Sequence, residues 1–128
     1  MNFRPTFSKN ERISAQKEID FLFNEGDSFT ISPLHIVYKE KKTVSEVPVS
    51  ILVGIPKKRF KRAVKRNRIK RLIKEAYRLN KHELWNFLRA EEKGLLIAFV
   101  YIENKQLEYS KIESAVVKVL NELESKMQ

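Results

Sequence analysis

The chain has 128 residues, with 26 Lys or Arg against 16 Asp or Glu and a formal net charge of +10. That length suits one domain spanning 1–128 with enough chain to bury a real core, and the charge calls for a polyanionic partner. The sequence has no cysteine, which excludes disulfides, thiolate catalysis and cysteine-based zinc sites; without a signal-like segment or membrane-length apolar run, a cytoplasmic chain with no membrane partner is expected.

Residues 1–11 are polar, with Phe3, Pro5 and Phe7 spaced two apart, and read as an arm. Ser14 is placed to cap a first helix whose Ala15, Ile19, Leu22 and Phe23 follow helical spacing, with Gly26 as its stop. Residues 28–31 and 34–41 read as strands separated by Pro33. In the second, Leu34, Ile36 and Tyr38 share one face while His35, Val37 and Lys39 share the other. Lys41, Lys42 and Thr43 mark a turn. The run VPVSILVGI, 47–55, is a third strand in which Pro48 is tolerable at an edge or first position. Gly54 and Pro56 end it and lead into a basic helix. Beyond Lys81, HELWNFLRAEEKG either prolongs that helix or begins another, with Gly94 ending it. LLIAFVYI, 95–102, is a continuous apolar run suited to a strand covered on both faces. Ser110 and Glu113 have capping-box spacing at the start of a last helix, in which Ile112, Ala115, Val116, Val119, Leu120 and Leu123 repeat at helical intervals. The order α-β-β-β-α-β-α predicts an α/β (α+β) two-layer sandwich, one four-stranded sheet with helices packed on it.

Residues 57–81 hold thirteen Lys or Arg and a single acid, Glu75, a formal charge of +12; the remainder of the chain sums to −2. At 100° per residue from Ile69, the residues Leu72, Ile73, Ala76, Tyr77 and Leu79 form a buried arc. Asn67, Lys70, Arg71, Lys74, Arg78 and Lys81 gather on the other side. Ala63 and Val64 fall out of phase, so the helix is expected from about Arg66. A solvated surface helix normally interleaves acids with its bases. The near absence of acids, with six Arg among the bases, points instead to phosphate and RNA recognition.

Arg66, Asn67 and Arg68, then Ile69, Lys70, Arg71 and Leu72, then Glu75, Ala76 and Arg78, resemble the RNR helix of the bacterial ribonuclease P protein family. The preceding GIPKKRFKRAV resembles that family's GxSVSKKxGNAV, and Arg12, Ile13, the IDFLFNEG segment and LHIVYKE extend the likeness along the chain. The family's Gly-Asn before Ala-Val is absent, and Arg59, Phe60, Lys61 and Arg62 make this loop one residue longer. The resemblance implies a left-handed strand-helix-strand crossover and RNA contacts by Lys57, Lys58, Arg59, Arg62, Arg66, Asn67, Arg68, Lys70, Arg71, Lys74 and Arg78. It implies two partners, the ribonuclease P RNA and precursor tRNA, with DNA not expected. It further implies that the RNA performs the cleavage, with Mg2+ held by that RNA and by no protein site.

The residues themselves offer no catalytic or metal-binding set. His35 and His82 lie far apart without ligand spacing, Glu18, Asp20 and Glu25 read as solvated charge on the first helix, and Glu75 is spaced to pair with Arg71 or Arg78. The three glycines are well separated, so no phosphate-cradling loop exists. By spacing alone Phe23 and Tyr38 read as core; the resemblance implies that they line a cleft for the single-stranded 5′ leader, where bases stack on aromatic rings. Trp85 and Phe87 read as packing residues. A structural or ribosomal RNA-binding protein would share the charge but need no such cleft. A DNA-binding helix-turn-helix protein would need a short helix just before residue 66.

Overall fold

A computed structural model describes residues 11–42 and 47–128; the arm over 1–10 and Thr43 of the expected turn lie outside the described residues. The elements are α1 (Gln16–Glu25), β1 (Asp27–Ile31), β2 (Leu34–Glu40), β3 (Val49–Gly54), α2 (Ala63–Asn80), α3 (His82–Ala90), β4 (Leu95–Tyr101) and α4 (Tyr109–Met127). The strands form one mixed sheet in the order β1-β2-β4-β3. β1 and β2 form an antiparallel hairpin, β2 pairs antiparallel with β4, and β3 runs parallel to β4. A parallel neighbour needs a crossover connection, and α2 and α3 provide it. This is the expected class, helices on a four-stranded sheet. α3 is a separate helix, begun at His82 after Lys81.

Strand alternation divides the core. Leu34 and Ile36, with Ile51, Ile97 and Phe99, face α2, α3 and α4 in the main cluster. Val37, Leu96 and Ala98 point the other way, onto a smaller cluster closed by Leu22 of α1 and by Ile13. β4 is therefore covered on both faces, as its unbroken apolar run requires. Leu22 is fully buried, and its burial holds α1 on the sheet with about 1.5–3 kcal/mol.

Several helix ends differ from expectation. Ser14 does not cap α1: the cap position is Ala15, without a side-chain hydrogen bond. The Ile13 N–H donates to the Ile51 carbonyl at 2.9 Å, which ties the chain to β3 until just before the helix begins. Gly26 does stop α1, yet its backbone is extended (φ −76°, ψ 156°). Space is what demands glycine there, since a Cβ would sit 2.3 Å from the Leu22 carbonyl oxygen and 2.8 Å from that of Tyr38. The expected capping box at Ser110 and Glu113 does not form, because α4 begins at Tyr109 with Glu108 at the cap position. Glu113 instead accepts hydrogen bonds from Tyr109 Oη and from Asn80 Nδ2, both at 3.2 Å, joining α4 to the end of α2.

Candidate nucleic-acid interface

α2 is the organising element of the surface. It begins at Ala63, earlier than its apolar phase suggests; Val64 is simply left 78% exposed in a first turn that projects beyond the core. Ile69, Ile73, Ala76 and Tyr77 are buried as the wheel predicts, whereas Leu79, at the rim of the arc, is exposed. Tyr77 fixes the rotation of the helix. Its ring meets Phe99 edge-on at 6.1 Å, and its hydroxyl accepts a hydrogen bond from Trp85 Nε1 at 2.8 Å. Burial pushes the Tyr77 phenol far above its ordinary pKa.

With one arc held, the other faces outward. Asn67, Arg71, Lys74, Glu75 and Arg78 line a shallow groove of about 360 Å³. Lys57, Lys58, Arg62, Asn67, Arg68 and Arg71 are exposed, and Lys70, Lys74 and Arg78 are half-buried at the flanks of the helix. Burial, then the charges of Arg12 and Lys70, lower the Lys74 pKa. Arg62 at the cap position makes no side-chain capping hydrogen bond, and the first turn holds no acid. Its positive dipole end therefore adds to the basic field.

The expected site residues divide by task. Arg66 points back into the loop, its Nη1 donating to the carbonyls of Phe60 (2.7 Å) and Lys61 (2.8 Å). It braces the entry to α2. Arg59 donates from Nη1 to Asn104 Oδ1 at 2.9 Å, which fixes the other side of the loop. Arg78 forms a two-point ion pair with Glu75, including Nε to Oε2 at 3.1 Å. That hydrogen bond holds the Glu75 carboxyl below its ordinary range.

Lys81 departs from the basic face on which the wheel puts it. It is 2% exposed, with Nζ 2.8 and 2.9 Å from the carboxylate oxygens of Glu11 and 4.4 Å from the Trp85 ring centre. Glu11, assigned by composition to the arm, is thus a buried anchor. Sequence spacing gave no signal for this pair, whose members lie 70 residues apart.

Phe23 and Tyr38 do not meet on one face. Phe23 is 46% exposed on α1, about 200° around the helix from Phe21. Tyr38 projects to the opposite face of the sheet, half-buried and edge-on to Phe29 with ring centres 5.8 Å apart. On the α1 side, Leu52, Gly54, His35 and Val100 are only partly covered, and a Cβ at Gly54 would meet nothing within 4 Å.

The ribonuclease P family model matches residues 7–124. The chain belongs to the ribonuclease P protein family. The ribonuclease P protein component of Porphyromonas gingivalis is 43% identical over 122 residues, which cover 94% of this chain and 89% of the relative. That of Chlorobaculum tepidum is 35% identical over 100 residues, covering 73% and 65%. The fold is similar to that of the Staphylococcus aureus RNase P protein (TM-score 0.71, 19% identity, 88% of this chain and 94% of that one). It is likewise similar to the RNase P protein from Thermotoga maritima (TM-score 0.69, 17% identity, 88% and 96%). The ribonuclease P proteins are accessory subunits of a ribonucleoprotein endonuclease, and in this member α2 divides into a packed arc and a basic arc. No helix among the described residues is long and apolar enough to cross a membrane.

Proposed function

We propose that the protein binds the ribonuclease P RNA through the outer arc of α2 and the loop at 57–62, and meets the 5′ leader of precursor tRNA on the α1 side of the sheet. One observation carries the RNA contact: thirteen bases and one acid lie within 57–81, and α2 buries the apolar side of that stretch while leaving most of the charge outside. Lys57, Lys58, Arg62, Arg68, Lys70, Arg71, Lys74 and Arg78 neutralise phosphates, and Asn67 adds a hydrogen bond without charge. Arg59 and Arg66 hold the loop in shape for them. Mg2+ bound by the RNA supplies the hydrolytic chemistry in a cytoplasmic ribonucleoprotein, and the protein lowers the repulsion between the two polyanions it brings together. For the leader, Phe23 is, among the described residues, the exposed ring available for stacking, and the half-covered sheet beside α1 gives a backbone surface next to it. Tyr38, packed against Phe29, serves the hairpin's stability.

Adding the purified protein to a bacterial ribonuclease P RNA at low Mg2+ tests this reading. Precursor tRNA is then cleaved at the mature 5′ end, whereas RNA-free protein leaves it intact. Cleavage by rigorously RNA-free protein, or no stimulation of the RNA, overturns it.

A further inference from the structure

Three consecutive residues ahead of α1 are held in place from different directions. The Glu11 carboxylate is buried on the Lys81 ammonium at the end of α2. Arg12 makes a parallel bridge to Ile51, which extends the sheet past β3. Ile13 donates its N–H to the Ile51 carbonyl at 2.9 Å and buries its side chain in the cluster beneath α1. Arg12 is the exposed member of the three. We propose that Arg12 is a further RNA-phosphate ligand, carried to the Lys74 flank of α2 by the buried Glu11–Lys81 ion pair and the bridge to Ile51.

The electrostatics agree with this placement. Arg12 lies near enough to Lys74 to disfavour its charged form, as Lys70 does, in addition to the larger effect of burial. Three cations drawn together by the fold repel one another, and a phosphate placed among them relieves that repulsion. Arginine suits the position, because its planar fork can grip two phosphate oxygens at once. The inference rests on the reading of α2 as the RNA face and adds to it a residue from a different part of the chain.

The test compares binding of the full chain to a bacterial ribonuclease P RNA across a salt series. One phosphate contact contributes about 0.7–0.9 to the slope of log affinity against log salt, equivalent to about a four- to fivefold change in affinity at 0.15 M. Arg12→Ala is expected to flatten the slope by that amount, and Arg12→Lys to restore most of the slope. Glu11→Gln, which loosens the anchor, is expected to weaken binding while Arg12 is still present. An unchanged slope for Arg12→Ala, with or without a fall in melting temperature, overturns the proposal. Lys70→Ala measured alongside separates the two failures. If it flattens the slope and Arg12→Ala does not, only the role of Arg12 is lost; if neither does, the α2 reading falls with it.

Discussion

Glu11→Ala is the sharpest test of how the basic helix is anchored. Both side chains of the Glu11–Lys81 pair are 3% exposed, so truncation removes the carboxylate that compensates a buried ammonium. Breaking one side of such a pair costs about 3–5 kcal/mol, against ~1 kcal/mol at most for an exposed pair. Trp85 remains 4.4 Å from Nζ and offsets part of the loss, since a desolvated cation over an indole is worth ~2 kcal/mol. The lower end of the range, ~3 kcal/mol, is therefore expected. With ~2.1 cal/mol/K of unfolding entropy per residue over 128 residues, ~0.27 kcal/mol corresponds to each degree. Glu11→Ala should lower the melting temperature by about 11 °C, measured by calorimetry or circular dichroism without RNA. Glu11→Leu combined with Lys81→Met should recover most of the loss, because apolar side chains of similar size can replace a buried ion pair at little cost. A fall below ~4 °C for Glu11→Ala would refute the reasoning, as the pair would then behave like a solvated one.

Glu75→Gln releases Arg78 from its ion pair and removes the acid from the basic face; RNA affinity should rise about four- to fivefold at 0.15 M salt, with a slope steeper by up to one contact. A weaker complex would mean that Glu75 orients Arg78 for RNA. Phe23→Ala should weaken precursor-tRNA binding by ~1–3 kcal/mol and leave mature tRNA unaffected, while Tyr38→Ala should chiefly lower the melting temperature. Equal losses on both tRNAs would remove Phe23 from the leader path. If ~5 of the eight bases named above each neutralise a phosphate, the salt slope should be about −3.5 to −4.5, flattened by Lys70→Ala but not by Lys118→Ala on α4. Equal effects of those two substitutions would mean that the RNA surface is diffuse.

Periodicity made much of this molecule legible. The alternation in β2 correctly assigned Leu34 and Ile36 to one face and Val37 to the other, and the wheel of α2 separated Ile69, Ile73 and Tyr77 from Asn67, Arg71 and Lys74. Local rules failed where a distant contact decided the outcome. The α4 start is set by the loop before it, which Tyr101 holds by donating to the Lys105 carbonyl and accepting the Leu107 N–H; Ser110 is thereby carried past the cap position. Lys81 follows the basic phase, yet it lies at the α2–α3 junction, where Trp85 and Glu11 enclose it. Phe23 and Tyr38 are joined by the resemblance and not by spacing: α1 exposes Phe23, while the β2 alternation puts Tyr38 with Leu34 and Ile36 on the opposite side of the sheet.

α2 also shows why this charge is tolerable only within the fold. Arg66, Lys70, Lys74 and Arg78 stand at successive i,i+4 positions, three like-charge spacings that are unfavourable by up to ~0.2–0.5 kcal/mol each, or ~0.6–1.5 kcal/mol together at most. Against this, Ile69, Ile73 and Tyr77 are fully buried at about 1.5–3 kcal/mol each, so packing prevails by several kcal/mol and the repulsion persists as a load on the free protein. Added chloride should screen that load, because the Debye length falls to ~4 Å at 0.5 M. Exposed attractive pairs such as Glu75–Arg78 and Lys126–Glu122 are screened as well and oppose part of this gain. The RNA-free protein should therefore gain up to about 2–6 °C in melting temperature between 0.05 and 0.5 M salt, using the same ~0.27 kcal/mol per degree. RNA affinity over that range should fall steeply. Opposite responses to one variable are what a surface shaped for a polyanion predicts; a melting temperature that falls with salt would show that ion pairing within the protein already satisfies the basic face.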